Sequence, residues 1–249
     1  MLSSFVDYFV DIRSIFMSHC PVSLDRGHQG KATMKGQDIF LLLKLVSLYR
    51  QETDTRLEQL DEEDRFQSWE GWEIDEADAL FRRELKLLVP TAFAARYTAR
   101  GLEKETGISK SEVSSSLNRC IKVGLAKLDR KTNLPRANQK ALAEFIAYGL
   151  KYVFPAQVSE LSRGIPTSFA APVLKGKIMS AGESIYIWPD AKGSSKGQSV
   201  QPLYKSVAMA VKTDPYLYEY LALVDAIRLG NAREVAIAKD ELASRLRLS

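Results

Sequence analysis

Two groups of residues in this chain have types and spacings that could do chemistry. The first is Gly193-Ser194-Ser195-Lys196-Gly197, which has the G-x-S-x-G form of a serine presented as a nucleophile. That chemistry requires a strand before the serine, a helix after it and a histidine later in the chain. Both histidines, His19 and His28, lie far upstream, so the match reads as chance. Two His and two Cys, each pair scattered, allow no metal constellation to be written. Residues 176–184 lack the P-loop spacing and its Lys-Ser/Thr pair. The carboxylates of residues 52–78 read as surface, with no pair assignable to acid/base work. Asp225, Arg228 and Arg233 flank Gly230 and read as a salt-bridged turn rather than a pocket. No enzyme activity, cofactor or metal is expected.

The second group is polar and basic. Within residues 97–126, YTARGLEKETGISKSEVSSSLNRCIKVGLA, Ser109, Lys110, Ser111, Ser115, Asn118, Arg119 and Lys122 follow one another closely, and Arg130 and Lys131 come just after. Ser, Asn and Arg hydrogen-bond base edges, whereas Lys and Arg neutralise phosphates. Such residues must be held on one surface, and the spacing predicts two short helices joined by a tight turn. Thr98 is an N-cap candidate for the first helix and Gly107 its stop, with Gly101 a mild defect of ~1 kcal/mol relative to Ala. Ser109-Lys110-Ser111-Glu112 has the S-x-x-E form of a capping box that would open the second. Val113, Leu117, Cys120, Ile121 and Gly124 then mark its expected buried stripe. Opposite lie Ser111, Ser115, Asn118, Arg119 and Lys122, small at one end and basic at the other, as suits a helix lying close in a major groove.

These residues resemble the winged helix-turn-helix of bacterial MarR-like regulators, through Gly107-Ile108-Ser109, Val113, Leu117, Ile121 and Gly124-Leu125 followed by a basic wing. The wing would run through residues 125–128, turn at 129–133 and return at 134–137, with Pro135 making the return strand a short edge. The resemblance covers residues 35–154, and a subgroup shares tails of the PTSFAAP and YIWPD type without an assigned role. It implies a mainly α fold with a small β-wing and a helical C-terminal region. It also implies a dimeric, cytoplasmic DNA-binding transcriptional regulator. Ser111, Ser115, Asn118 and Arg119 would face base edges, and Lys110, Lys122, Arg130 and Lys131 would hold phosphates. Since helix-turn-helix modules also serve as protein-binding units, the alternative is an interaction module such as an antitoxin or adaptor for a neighbouring gene product.

Bulk properties fit a soluble globular protein: 249 residues, 45% hydrophobic and 27% charged. The net charge of +4 decides little, but its distribution is uneven. Residues 96–140 hold eleven Lys and Arg against four acids, and residues 51–84 hold thirteen acids against four bases. The basic segment coincides with the expected reading surface, the electrostatic footprint of phosphate contact, although a solvated surface would look the same. Cys20 and Cys120 are too few for a disulfide framework and suit a reducing compartment. No run approaches the ~18 apolar residues of a membrane span, so no membrane partner is expected.

Three segments complete the plan. Residues 1–35 read as an extension whose Phe5, Phe9, Ile12 and Phe16 share a helical face, followed by a linker. Met34 is an alternative start to Met1. The domain proper, residues 36–154, begins with a nearly uniformly apolar helix at 36–50 that must be covered on more than one side. It then carries an acidic insertion at 51–90, readable as solvated surface, as a protein-partner surface or as a shield competing with DNA, with a helix expected at 75–88. After the wing, a helix is expected at 139–154. Residues 155–202 read as loop-dominated, with one short strand at 184–188. Asp214-Pro215 opens a helix apolar on most sides that Gly230 ends, and a last helix spans 232–247. The former forms either the core of a small second domain or a surface shared between two subunits, the C-terminal helices then being a second place for a protein partner.

Overall fold

The computed structural model describes residues 33–54, 90–178 and 185–248. The chain divides into two units, Met1–Thr33 and Met34–Ser249, and the expected boundary at 154/155 falls inside the second. The N-terminal amphipathic face, Trp69, Trp72 and the helix expected at 75–88 lie outside the described residues.

The fold is mainly helical, with a two-stranded hairpin and a small three-stranded sheet. In order the elements are α1 (Gly36–Asp54), α2 (Pro90–Arg96), α3 (Ala99–Thr106), α4 (Lys110–Lys122), β1 (Ala126–Leu128), β2 (Pro135–Ala137), α5 (Gln139–Tyr148) and α6 (Leu150–Val153). There follow β3 (Val158–Pro166), two single 3₁₀ turns (Ser168–Ala170, Pro172–Leu174), β4 (Tyr186–Pro189), β5 (Ser195–Val200), α7 (Val207–Val211), α8 (Pro215–Leu229) and α9 (Ala232–Arg245).

Helix α1 is the hub. Every residue from Gln37 to Leu48 is buried, which follows from a run of Ile, Phe, Leu and Val with no consistently polar face. Each enclosed Leu contributes ~1.5–3 kcal/mol by leaving water. Its cover comes from α4, from β2 and from α8, all in the same chain. Helix α8 is enclosed in the same way, by α9, α1 and the first 3₁₀ turn. Its apolar surface is therefore satisfied inside one protomer, joined to α1 in one continuous core, rather than left for a second subunit.

Most of the polar groups carried into this core are paired, because an unpartnered buried charge is costly, the Ser168 hydroxyl being an exception. Lys44, 1% exposed, bonds Asp214 at 2.7 Å and Glu105 at 2.5 Å. Arg96 bonds the same Glu105 at 2.5 and 2.8 Å, and Ser47 donates to Asp214 at 2.6 Å. Asp214 also caps α8, accepting from the Leu217 N–H, as the Asp-Pro pair predicts. Two cations and two carboxylates thus tie α1, α2, α3 and α8 together. Burial opposes the charge of Glu105, but Lys44 and Arg96 outweigh it and hold its carboxyl down at about 2. The Lys44, Ser47 and Asp214 side chains have at most 1% exposure, so this cluster joins helices rather than meeting a ligand.

Residues 155–202 differ from the loop expected there. Strands β3, β4 and β5 each pair with the other two, β3 antiparallel to both and β4 parallel to β5. The short strand expected at 184–188 overlaps β4, whereas periodicity misses β3 and β5, because β3 is exposed along its first half and β5 is mostly Ser, Lys, Gly and Gln. The glycines of the G-x-S-x-G match have a structural reason: a Cβ on Gly193 would overlap the Gly164 backbone, and one on Gly197 the Ile185 carbonyl. Ser195 pairs with Gly164 in the sheet instead of standing on an elbow. The sheet is fastened to α8 by Asp225, which accepts from Trp188 Nε1 at 2.6 Å, from Thr167 at 3.1 Å and from Arg228 at 2.6 Å. The Asp225–Arg228 half of the expected salt-bridged turn is present, while Arg233 is exposed.

Candidate nucleic-acid interface

Helix α3 forms as the local signals predict at both of its ends. Thr98 accepts from the Gly101 N–H at 3.1 Å, and Gly107 closes α3 in the left-handed region at φ 67°. Gly101 is required where it stands, because a Cβ there would meet the Ala95 and Arg96 backbone. Gly124, at φ 79°, turns the chain out of α4 into the hairpin.

The start of α4 differs from the expected capping box. Ser109 holds the N-cap position without a side-chain bond to the helix, and its hydroxyl lies 3.4 Å from that of Ser111. The Lys110 N–H is taken by Glu103 at 3.1 Å. The Glu112 carboxylate is drawn away by α1, accepting from Gln37 at 2.6 Å and Lys35 at 3.4 Å. Those two bonds hold the Glu112 carboxyl below its usual range. A partner across the fold has outcompeted the local one.

The inner face of α4 also departs from the expected stripe. Val113, Ser116 and Cys120 are buried and Leu117 is half-buried, whereas Ile121 and Gly124 are exposed. Ser116 replaces an apolar residue because Asp38, fully buried on α1, accepts its hydroxyl at 2.5 Å. The same carboxylate receives a fork from Arg119, at 3.0 Å from Nε and 2.7 Å from Nη2. Arg119, expected among the base-facing residues, is thus turned sideways into the fold and engaged there. Cys120 lies beside this carboxylate, and burial pushes its thiol up to about 12.

Apart from the exposed Ile121, what remains outward is a single polar stripe. Ser111, Ser115, Asn118 and Lys122 are exposed, and at 3.6 residues per turn they lie within about 60° of one another around the helix. Lys110 is half-buried and lies about 80° around the helix from that stripe.

The hairpin follows directly. Ala126 pairs with Ala137, Lys127 with Arg136 and Leu128 with Pro135. Its turn is built by Asp129, whose Oδ1 accepts from the Lys131 N–H, the Thr132 N–H and the Thr132 hydroxyl, with Asn133 at φ 57°. These bonds hold Asp129 below the ordinary carboxylate range and present Arg130 and Lys131 at the exposed tip.

Arg136 gives the hairpin a footing that sequence reasoning misses. Its guanidinium lies 4.8 Å from the Tyr49 ring and 4.7 Å from the Tyr97 ring. It donates to the Tyr97 hydroxyl at 2.5 Å and pairs with Glu52, at the end of α1, at 2.8 Å. Nothing in the local pattern of residues 134–137 signals this, since its partners lie on α1 and before α3.

Among the described residues no group of three His, Cys, Asp or Glu could hold a metal ion, and no helix is long and apolar enough to cross a membrane. The chain matches no known family model, curated protein or solved structure.

Proposed function

We propose that this protein binds duplex DNA sequence-specifically through a winged helix-turn-helix of the MarR-like kind and acts as a transcriptional regulator. One observation carries the reading. The outer stripe of α4 is free of bulky side chains at Ser111 and Ser115, bears a lone amide at Asn118 and ends in Lys122, with the cationic hairpin tip beside it in sequence. A helix of that profile enters a major groove without steric obstruction. Asn118 reads a base edge, Ser111 and Ser115 approach closely, and Lys110, Lys122, Arg130 and Lys131 neutralise phosphates. Ser109 lies at the leading end of the helix. A homodimer would place two such helices on a symmetric site. Titration of the full chain against random-sequence duplex at low salt tests the reading. Binding that weakens as salt rises, with enrichment of one sequence from a random pool, is expected, and no binding at low salt would remove it.

A second reading, a protein-interaction module such as an antitoxin or adaptor, is favoured by a different surface. Tyr148 and Tyr152 are 73% and 83% exposed, with Val153 and Leu161 also exposed nearby in the chain. Affinity capture with Tyr148→Ala/Tyr152→Ala as control discriminates it, since only a protein partner is lost with those rings.

A further inference from the structure

The proposed reading surface is drawn from residues 97–137, yet a segment of the C-terminal region lies directly against its turn. Residues 203–209 cross from the start of α1 to the end of α3. The Leu203 carbonyl abuts Gly36, so closely that a Cβ there would overlap it. The Tyr204 ring stacks on Phe40, with centroids 6.1 Å apart. The Ser206 hydroxyl donates to the Thr106 carbonyl, the last residue of α3. Ser206 Cβ and Met209 Cε both come within 2.9 Å of where a Gly107 side chain would begin. Gly107 thus serves two purposes, closing α3 and admitting this segment. Between the ring that packs inward and the hydroxyl that grips α3 stands Lys205, exposed to solvent.

We infer that Lys205 is a DNA phosphate contact, so that the C-terminal region supplies part of the binding surface. The inference rests on the DNA reading above. In a helix-turn-helix complex the turn and the start of the second helix approach the duplex, and the first helix crosses the sugar-phosphate backbone. A cation fastened one residue from the α3–α4 turn stands where that backbone passes. Lys122, Arg130 and Lys131 serve the opposite end of α4, so Lys205 balances them, with Lys110, at the helix start. Lys205 is anchored through its neighbours Tyr204 and Ser206, which limits the ordering cost of making the contact.

The test measures the affinity of the full-length protein for a fluorescently labelled mixed-sequence DNA duplex across a salt series, comparing wild type, Lys205→Ala and Lys239→Ala. Lys239 lies on α9, over the Tyr148 ring at 4.4 Å, and removes the same charge elsewhere. Lys205→Ala is expected to weaken binding to all sequences alike and to reduce the slope of log K against log salt by about 0.9, the value of one phosphate contact. Lys239→Ala is expected to leave the slope unchanged. If wild type binds and Lys205→Ala keeps its slope, or if both variants lose slope equally, the Lys205 contact is overturned while the DNA reading stands. If wild type shows no salt-dependent binding, both fall.

Discussion

The Arg119 guanidinium clasps the Asp38 carboxylate through two bonds, 3.0 and 2.7 Å long, and so fixes the rotation of α4 about its own axis on α1. Ser116 adds a third bond to the same carboxylate, one helical turn earlier. Because Asp38 is fully buried, losing Arg119 leaves a carboxylate with only neutral donors. Arg119→Ala is expected to destabilise the fold by about 2–4 kcal/mol, toward the lower end of the range for an orphaned buried charge because Ser116 and the Lys35 N–H remain. Denaturant unfolding checks this. A loss below ~0.5 kcal/mol would show that the pair does not hold the helix. Arg119→Lys, which keeps the charge but not the fork, should recover only part of the loss.

On the proposed DNA reading, Asn118 and Arg130 separate reading from holding. Asn118→Ala is expected to cost ~1–3 kcal/mol on the preferred duplex and much less on an unrelated one, because a base-edge contact is lost. Arg130→Ala should weaken both duplexes about equally and flatten the salt slope. Paired titrations on the two duplexes decide the matter, and equal losses for Asn118→Ala on both would remove it from the reading set.

The buried cluster around Glu105 predicts an acid limb of unfolding. Its folded carboxyl stands at about 2 against an ordinary 4.5, so the stabilisation is fully present above the unfolded value and is lost as pH falls from about 4.5 toward 2. The loss attributable to this group is on the order of 2–3 kcal/mol. Glu105→Gln should be less stable than wild type at neutral pH, with a shallower decline between pH 4.5 and 2 in thermal melts. Parallel curves for the two proteins would show that Glu105 does not drive the limb.

In the small sheet, Arg163 stands directly opposite Lys196, both exposed, in the antiparallel register of β3 and β5. Like charges facing across strands are unfavourable. Lys196→Glu is therefore expected to raise stability by ~0.2–1 kcal/mol, measured by chemical denaturation, with the gain shrinking as salt is added. Destabilisation at low salt would contradict this pairing energetics.

The sequence by itself determined what depends on neighbours along the chain. Thr98 and Gly107 bound α3 through local caps, Asp214 with Pro215 opens α8, and Gly230 ends it, because each satisfies or releases backbone groups within a few residues. The apolar run at 36–48 foretold an enclosed α1, and the stripe of Ser111, Ser115, Asn118 and Lys122 follows from helical spacing alone. Only the tertiary structure decided the destinations of polar side chains whose partners are remote. Arg119 fits the exposed face of α4 by spacing, yet Asp38, 81 residues earlier, takes it. Glu112 fits a capping box, yet Gln37 and Lys35 hold it. Strands β3 and β5 lack an alternating apolar pattern because β3 is exposed along its first half and because Gly164 and Gly197 stand where neighbouring backbone leaves no room for a side chain. Periodicity reports which side of an element is buried. It carries no information about which long side chain will find a charge waiting across the core, and that pairing fixes how α4 is presented.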